Sequence, residues 1–339
     1  MKKQILSLLF LSATVSAASS VFADETAYPE WDFSGLIFGD AYYVPSHHLE
    51  EGDGAAGLVM RRLYLTLDVD FNETWFARAR WEHNQDGHFE TYEFDGDWKD
   101  LYLGANMGRH TLIAGLTGTP TFDVIEKIWG ARYLARTPMD MQGVASRDTG
   151  IFVKGPLNSS GSLSYRAMWA APVSFGKESN ENNRMMLALG WKPNDNLTFD
   201  FYADFEDRSD GRESTTIQAF AGYQMDLLRW GLQYSKQERD LEPNLELASG
   251  FVAAAMSEKS SLIGRIDRII EPSPKGNNIS YIPFDPSAPA TMYIGAFEYK
   301  WLKNLTLTPN VIVIDYDEND EGVTPETDVH LRLTAYFRF

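Results

Sequence analysis

The residues of this chain with the means to do chemistry are arginines and carboxylates spaced two apart. Arg62, Tyr64, Thr66, Asp68 and Asp70 share one register, Arg78, Arg80 and Glu82 a second, and Arg265 and Asp267 a third. Between them stand Leu63, Leu65, Leu67, Val69, Ala79, Trp81 and Ile266. Side chains two apart lie on one face of a β-strand, so each stretch carries a charged face and an apolar face. Rows of guanidinium and carboxylate groups facing one space attract, sieve and pass ions.

Bond-making chemistry finds little support. A hydrolase needs a nucleophile near a histidine that a third group orients. The six histidines, His47, His48, His83, His88, His110 and His330, fall mostly in loops or turns. No Gly-x-Ser-x-Gly segment occurs, and paired carboxylates such as Asp317-Glu318 read as solvated loop. No enzyme activity and no cofactor are expected. The chain has no cysteine, which excludes disulfide scaffolds and thiol chemistry. His47 and His48 with Glu50, Glu51 and Asp53 could hold a divalent ion weakly, but their spacing matches no tight site, and no metal is expected.

The elements that must position these residues are amphipathic strands. Residues 328–339 alternate strictly, with Val329, Leu331, Leu333, Ala335, Phe337 and Phe339 on one face and Asp328, His330, Arg332, Thr334, Tyr336 and Arg338 on the other. Sixteen such segments can be counted: 33–45, 58–71, 75–86, 99–107, 110–118, 147–156, 163–172, 184–193, 197–207, 214–225, 228–239, 246–257, 260–270, 290–300, 305–316 and 328–339. Segment 246–257 is apolar on both faces. Connections alternate between short turns, such as Asn72-Glu73-Thr74 and 194–196, and long loops at 46–57, 87–98, 119–146, 173–183, 271–289 and 317–327. A soluble sandwich gives no reason for this alternation. It is the layout of an all-β, transmembrane, antiparallel barrel of sixteen strands, with short periplasmic turns, long external loops and both termini on the periplasmic side. Asn72, Asn194 and Asn304 precede strands, where asparagine tolerates the left-handed conformations of hairpin turns.

Charge and composition agree. Lys2 and Lys3 precede the apolar run 5–11 and a small-residue stretch, which reads as a secretory signal over residues 1–23, leaving 24–339 as the barrel. Losing two lysines and no acid would take the formal net charge from −18 to −20, which argues against nucleic acid as a partner. The partners expected instead are outer-membrane lipid and lipopolysaccharide, small hydrophilic solutes, and the barrel assembly machinery, through the C-terminal strand and its terminal Phe339. The location expected is the outer membrane of a Gram-negative bacterium.

If the apolar registers face lipid, the others face a lumen. The pore-lining candidates are then Arg62, Arg78, Arg80, Glu82, Asp100, Arg166, Arg184, Arg265, Asp267 and Arg332, with Asp148, Asp200, Asp204, Glu206 and Lys192 beside them. The negative charge of the chain lies mainly in loops, for example Glu50 to Asp53 and Asp315 to Glu321. The third long loop, 119–146, carries a helical turn at 124–129 and apolar residues that give it something to pack with. Folded inward, it would bring Lys127, Arg132 and Arg136 to a constriction.

Met60-Arg61-Arg62-Leu63-Tyr64-Leu65, the strand from Trp75 to Trp81, Lys99 to Gly104, Arg147-Asp148-Thr149-Gly150 and Gly264 to Arg268, in that order, resemble the phosphate-selective porin O and P family. The resemblance implies a sixteen-stranded outer-membrane porin, commonly a homotrimer, with an inward third loop and basic residues in its lumen. A passive diffusion channel for small hydrophilic solutes, preferring anions or phosphate, is the function expected. A closed structural or adhesive barrel is the alternative.

Overall fold

The structure is a computed structural model that describes residues 28–85, 94–144, 146–170, 183–207 and 211–339. The signal segment 1–23, His88 and much of the loops at 87–98 and 173–183 lie outside the described residues.

Sixteen strands form: β1 (Glu30–Ser46), β2 (Ala56–Asp70), β3 (Trp75–Gln85), β4 (Phe94–Met107), β5 (His110–Gly118), β6 (Arg147–Pro156), β7 (Leu163–Ala170) and β8 (Asn183–Trp191), then β9 (Leu197–Asp207), β10 (Glu213–Gln224), β11 (Leu228–Arg239), β12 (Leu245–Ala255), β13 (Ser260–Ile269), β14 (Ala290–Leu302), β15 (Leu305–Tyr316) and β16 (Asp328–Arg338). Two short helices, α1 (Asp123–Trp129) and α2 (Pro138–Met141), lie between β5 and β6. Every strand pairs antiparallel with its sequence neighbours, and β1 pairs with β16, so the sheet closes and leaves no edge. The amphipathic C-terminal segment is therefore one half of the closing seam, with Leu36 opposite Arg338 and Tyr43 opposite Leu331.

The outer face is that of a membrane barrel. Leu101, Leu103, Ile151, Leu187, Leu189, Phe201, Ile217, Leu232, Leu262, Ile266, Leu331 and Leu333 are exposed along the strands. Exposed aromatics crowd both rims. Trp31, Trp75, Trp191 and Trp301 stand near the short turns, while Tyr43, Trp98, Trp169 and Phe205 stand toward the long loops. An apolar belt between two aromatic girdles matches a bilayer bounded by its two interfaces.

The short turns are made differently from the sequence expectation. Among the described residues only Leu241 and Tyr281 combine a side chain with positive φ, so the turn asparagines are not left-handed. Asn72 instead accepts hydrogen bonds from the backbone N–H groups of Thr74 and Trp75, each at 2.9 Å. Asn194 accepts from Asn196 at 3.0 Å and Leu197 at 2.9 Å. The side-chain oxygen satisfies the donors that a tight turn leaves over.

The inner face divides in two. From β2 to β9 it is rich in charged residues, interrupted on β5 to β9 by a small buried apolar cluster of Ile113, Phe152, Met168, Met186 and Tyr202. From β12 to β15 it is largely apolar: Leu245, Leu247, Ile269, Met292, Ile294, Ile312 and Ile314 are buried there. On this apolar arc rest Phe122, Met139, Met141 and Val144 of the β5–β6 connection and Ile279, Ile282 and Phe284 of the β13–β14 connection, in one continuous cluster. This explains the two-sided apolarity of segment 246–257. Its outer register faces lipid, and its inner register lies under folded-in loops.

Candidate functional site

The β5–β6 connection is held inside the barrel through its own carbonyls. Gln218 of β10 donates to the Thr121 carbonyl at 2.8 Å, Arg229 of β11 to that of Trp129 at 3.1 Å, and Arg265 of β13 to that of Arg136 at 2.6 Å. Helix α1 ends at Gly130, whose φ of 63° is accessible to glycine at little cost. Trp129, 1 % exposed, then stacks edge-on with Phe251 at 5.1 Å between ring centroids and lies under the Arg265 guanidinium. Loop carbonyls that would otherwise be buried without partners are thus satisfied by inward-facing wall residues.

The wall arginines pair with wall carboxylates. Arg78 makes a forked contact with Asp68, at 2.6 and 2.9 Å. Asp100 receives Arg80 at 3.0 Å and Arg147 at 2.8 Å, and Glu82 receives Arg62 at 3.2 Å and Lys99 at 2.9 Å. Arg166 meets Asp200 at 2.7 Å and Asp123 of α1 at 3.1 Å, Arg184 pairs with Asp204, and Arg265 with Asp267. Of the loop cations, Arg132 contacts Glu126 at 2.9 Å and Asp140 at 3.2 Å, Arg136 lies 3.8 Å from Asp140, and Lys127 is exposed on α1. Burial would raise the Asp140 carboxyl, but the Arg136 and Arg132 guanidinium groups hold it below the ordinary carboxylate range. Lys192, counted with the lumen residues, is instead exposed in the β8–β9 turn.

One convergence stands out. Arg61, Arg62, Arg132 and Arg136 line a small cavity of about 20 Å³ with Phe38, Ser280 and Tyr281. Tyr281 is in the left-handed region at φ 70°, where a side chain costs about 1–2 kcal/mol. It repays the strain by joining strands: its hydroxyl donates to the Arg61 carbonyl at 2.8 Å and its carbonyl accepts from Arg332. Around this point Arg61, Arg62, Lys99, Arg132, Arg136 and Arg332 outnumber Asp40, Glu82, Glu126 and Asp140. Three guanidinium nitrogens, Arg62 Nε, Arg136 Nη2 and Arg332 Nη1, are buried donors without an acceptor among the described atoms. Such a set is suited to receive oxygens of an anion.

Sequence alternation missed Arg61 and Lys99. Opposite β1, Phe38 pairs with Arg62 and Gly39 with Met60, so Arg61 is the extra residue of a bulge. It is 4 % exposed, binds Asp40 at 2.7 Å and donates to the carbonyls of Tyr133 and Leu134. Between β3 and β4, Arg80 pairs with Asp100 and Trp81 with Trp98, so Lys99 is extra in the same way and reaches Glu82. A bulge turns two consecutive residues toward one face. The available signal was the doublet Arg61-Arg62, since strict alternation would drive one arginine into lipid at a cost of about 2–4 kcal/mol.

No family model matches this chain, and no curated protein matches it. Among solved structures, the outer-membrane channel DcaP of Acinetobacter baumannii superposes with a TM-score of 0.66 at 10 % identity, covering 94 % of this chain and 100 % of that one. OmpT of Vibrio cholerae in its trimer form gives 0.64 at 13 % identity, and an anion-selective porin from Comamonas acidovorans 0.62 at 14 %, each covering 92 % of this chain and 100 % of the other. The chain thus has the fold of outer-membrane β-barrel channels.

Proposed function

We propose that this protein is an outer-membrane porin, a passive water-filled passage for small hydrophilic solutes with a preference for anions, phosphate included. The observation that carries the reading is the excess of guanidinium groups around Tyr281, with three buried N–H donors that lack protein acceptors. In this reading Lys127, Arg132 and Arg136 of the β5–β6 connection form the constriction with Arg61 and Arg62 of β2, and the remaining wall pairs hold the lumen rigid. Selectivity follows the charges at the narrow part, so the acidic loops do not set it. Support from likeness is of two kinds: sequence motifs that resemble the phosphate-selective porin O and P family, and a fold shared with a protein described as an anion-selective porin.

In the same reading residues 1–23 are a cleaved signal and the chain works as a homotrimer. Phe339, whose ring covers Gly35 and lies 6.4 Å from that of Phe33 at the seam, serves recognition by the assembly machinery. Liposomes containing the refolded protein test the transport claim. Uptake of phosphate and small carboxylates should exceed that of cations of similar size, and Arg132→Ala with Arg136→Ala should reduce the difference. Liposomes as tight as protein-free ones would favour the closed-barrel alternative.

A further inference from the structure

At the seam between β1 and β16, on the long-loop side, four groups from the two ends of the chain come together. His47 and His48 follow β1, and Asp328 and His330 are the first two inward residues of β16. One nitrogen from each of His47 and His48 and one oxygen of Asp328 lie within 4.8 Å of one another. The His47 and His48 rings are stacked at 4.4 Å between centroids, and the His330 ring stands perpendicular to that of His47 at 5.5 Å. Exposure is 2 % for His47, 1 % for His330 and none for Asp328, so the cluster is dry.

Two features set it apart from an ordinary ion pair. His330 Nε2 is buried with no hydrogen-bond partner among the described atoms, which is costly for an imidazole nitrogen inside a protein. Asp328 is also braced from several sides. It accepts from the His48 backbone N–H at 2.7 Å and from the Tyr316 hydroxyl at 2.5 Å, and it meets His48 Nδ1 at 2.8 Å. The far nitrogen of His48 is fixed by Asn277 Oδ1 at 2.7 Å, and His47 Nδ1 accepts the Leu49 N–H at 2.9 Å. Outer hydrogen bonds of this kind orient imidazole and carboxylate ligands around a metal.

We propose that His47, His48, Asp328 and His330 form a binding site for a first-row divalent cation of the zinc class. Imidazole nitrogens with one carboxylate suit zinc over calcium or magnesium, which take oxygen ligands. Tetrahedral zinc needs donor atoms about 3.4 Å apart, as follows from bonds of about 2.0–2.2 Å, so the donors of His47, His48 and Asp328 must draw together from within 4.8 Å and His330 must close in on them from outside that group. The ion takes the place of the proton between His48 and Asp328. It staples the residues after β1 to the start of β16 and, through Asn277, to the β13–β14 connection. Glu50, Glu51 and Asp53, the carboxylates next to the histidines in sequence, are exposed and take no part.

Untagged full-length protein, refolded in detergent and stripped with a chelator, is titrated with Zn²⁺ by calorimetry in the presence of excess Ca²⁺. The expected result is one zinc per chain and a rise in unfolding temperature on binding. His47→Gln and His330→Ala should each weaken binding at least tenfold, and Asp328→Asn should abolish it if that variant folds. The combined Glu50→Gln, Glu51→Gln, Asp53→Asn protein should bind as the parent does. Absence of stoichiometric zinc on the parent, parent-like binding by both histidine variants, or loss of binding in the loop-carboxylate variant overturns the proposal.

Discussion

The two arcs of the inner wall obey the same period of two and use it for opposite ends. On β2, β3, β8 and β9 the inward register carries Arg62, Thr66, Arg78, Arg80, Glu82, Arg184, Asp200 and Asp204, joined to partners on nearby strands, with Met186 and Tyr202 set among them. On β12, β14 and β15 it carries Leu245, Leu247, Met292, Ile294, Ile312 and Ile314, packed in one apolar cluster, with Ser249 and Asn310 as its hydrogen-bonded polar members. In the proposed reading the charged arc keeps its faces for water and ions. The apolar arc is the core of the protein, and two loops supply its other half. A barrel this wide cannot fill its interior with wall side chains alone. Seating loops on one side narrows the lumen and presses the loop arginines toward the charged side.

The largest effect expected from breaking this contrast is in the loop seat. Phe284, in the β13–β14 connection, is fully buried against the apolar wall. Phe284→Ala should cost about 3–5 kcal/mol of stability in denaturant titrations and open residues 271–289 to protease. A change near zero would mean that the apolar arc is not a core. A smaller effect is expected on the charged side. Arg166→Met strands the buried Asp200 carboxylate, but lumen water can reach part of the charge, so the loss should be about 1–3 kcal/mol. A loss equal to that of Phe284→Ala would mean the two arcs are equally dry.

The smallest effect is one of pH at the junction of the arcs. Asp140 titrates below the ordinary carboxylate value of 3.8, because Arg136 and Arg132 outweigh its burial. A depressed folded value means its stabilisation is complete above the unfolded value and is lost as pH falls through the folded one. Protease cleavage within 119–144 should therefore be unchanged from pH 7 to 5 and rise below about pH 4. Asp140→Asn should show the acid behaviour at neutral pH, and a variant as resistant as the parent would remove Asp140 from the account.

Much of this was legible in the sequence. The strand count and the assignment of Arg62, Arg78, Arg80, Glu82 and Arg332 to the inner face follow from alternation, because the pleat enforces it wherever ladders are regular. Arg61 and Lys99 were hidden because bulges break the ladder where they stand, and a bulge is decided by the partner strand. The apolar arc was ambiguous for another reason. A greasy register facing lipid and one facing a folded loop have the same composition, and only the path of the loop separates them. The β13–β14 connection read as a long external loop, yet Ile279, Ile282 and Phe284 are buried against the inner wall. The pairing of His47 and His48 with Asp328 spans nearly the whole chain and depends on barrel closure.

Reversal potential across a planar bilayer holding the purified protein in a potassium chloride gradient tests the central claim most directly. The guanidinium excess around Tyr281 predicts open channels with chloride preferred over potassium. Arg61→Ala combined with Arg136→Ala should move that preference toward neutrality. Channels that prefer potassium, or a correctly folded barrel that carries no current, would contradict it.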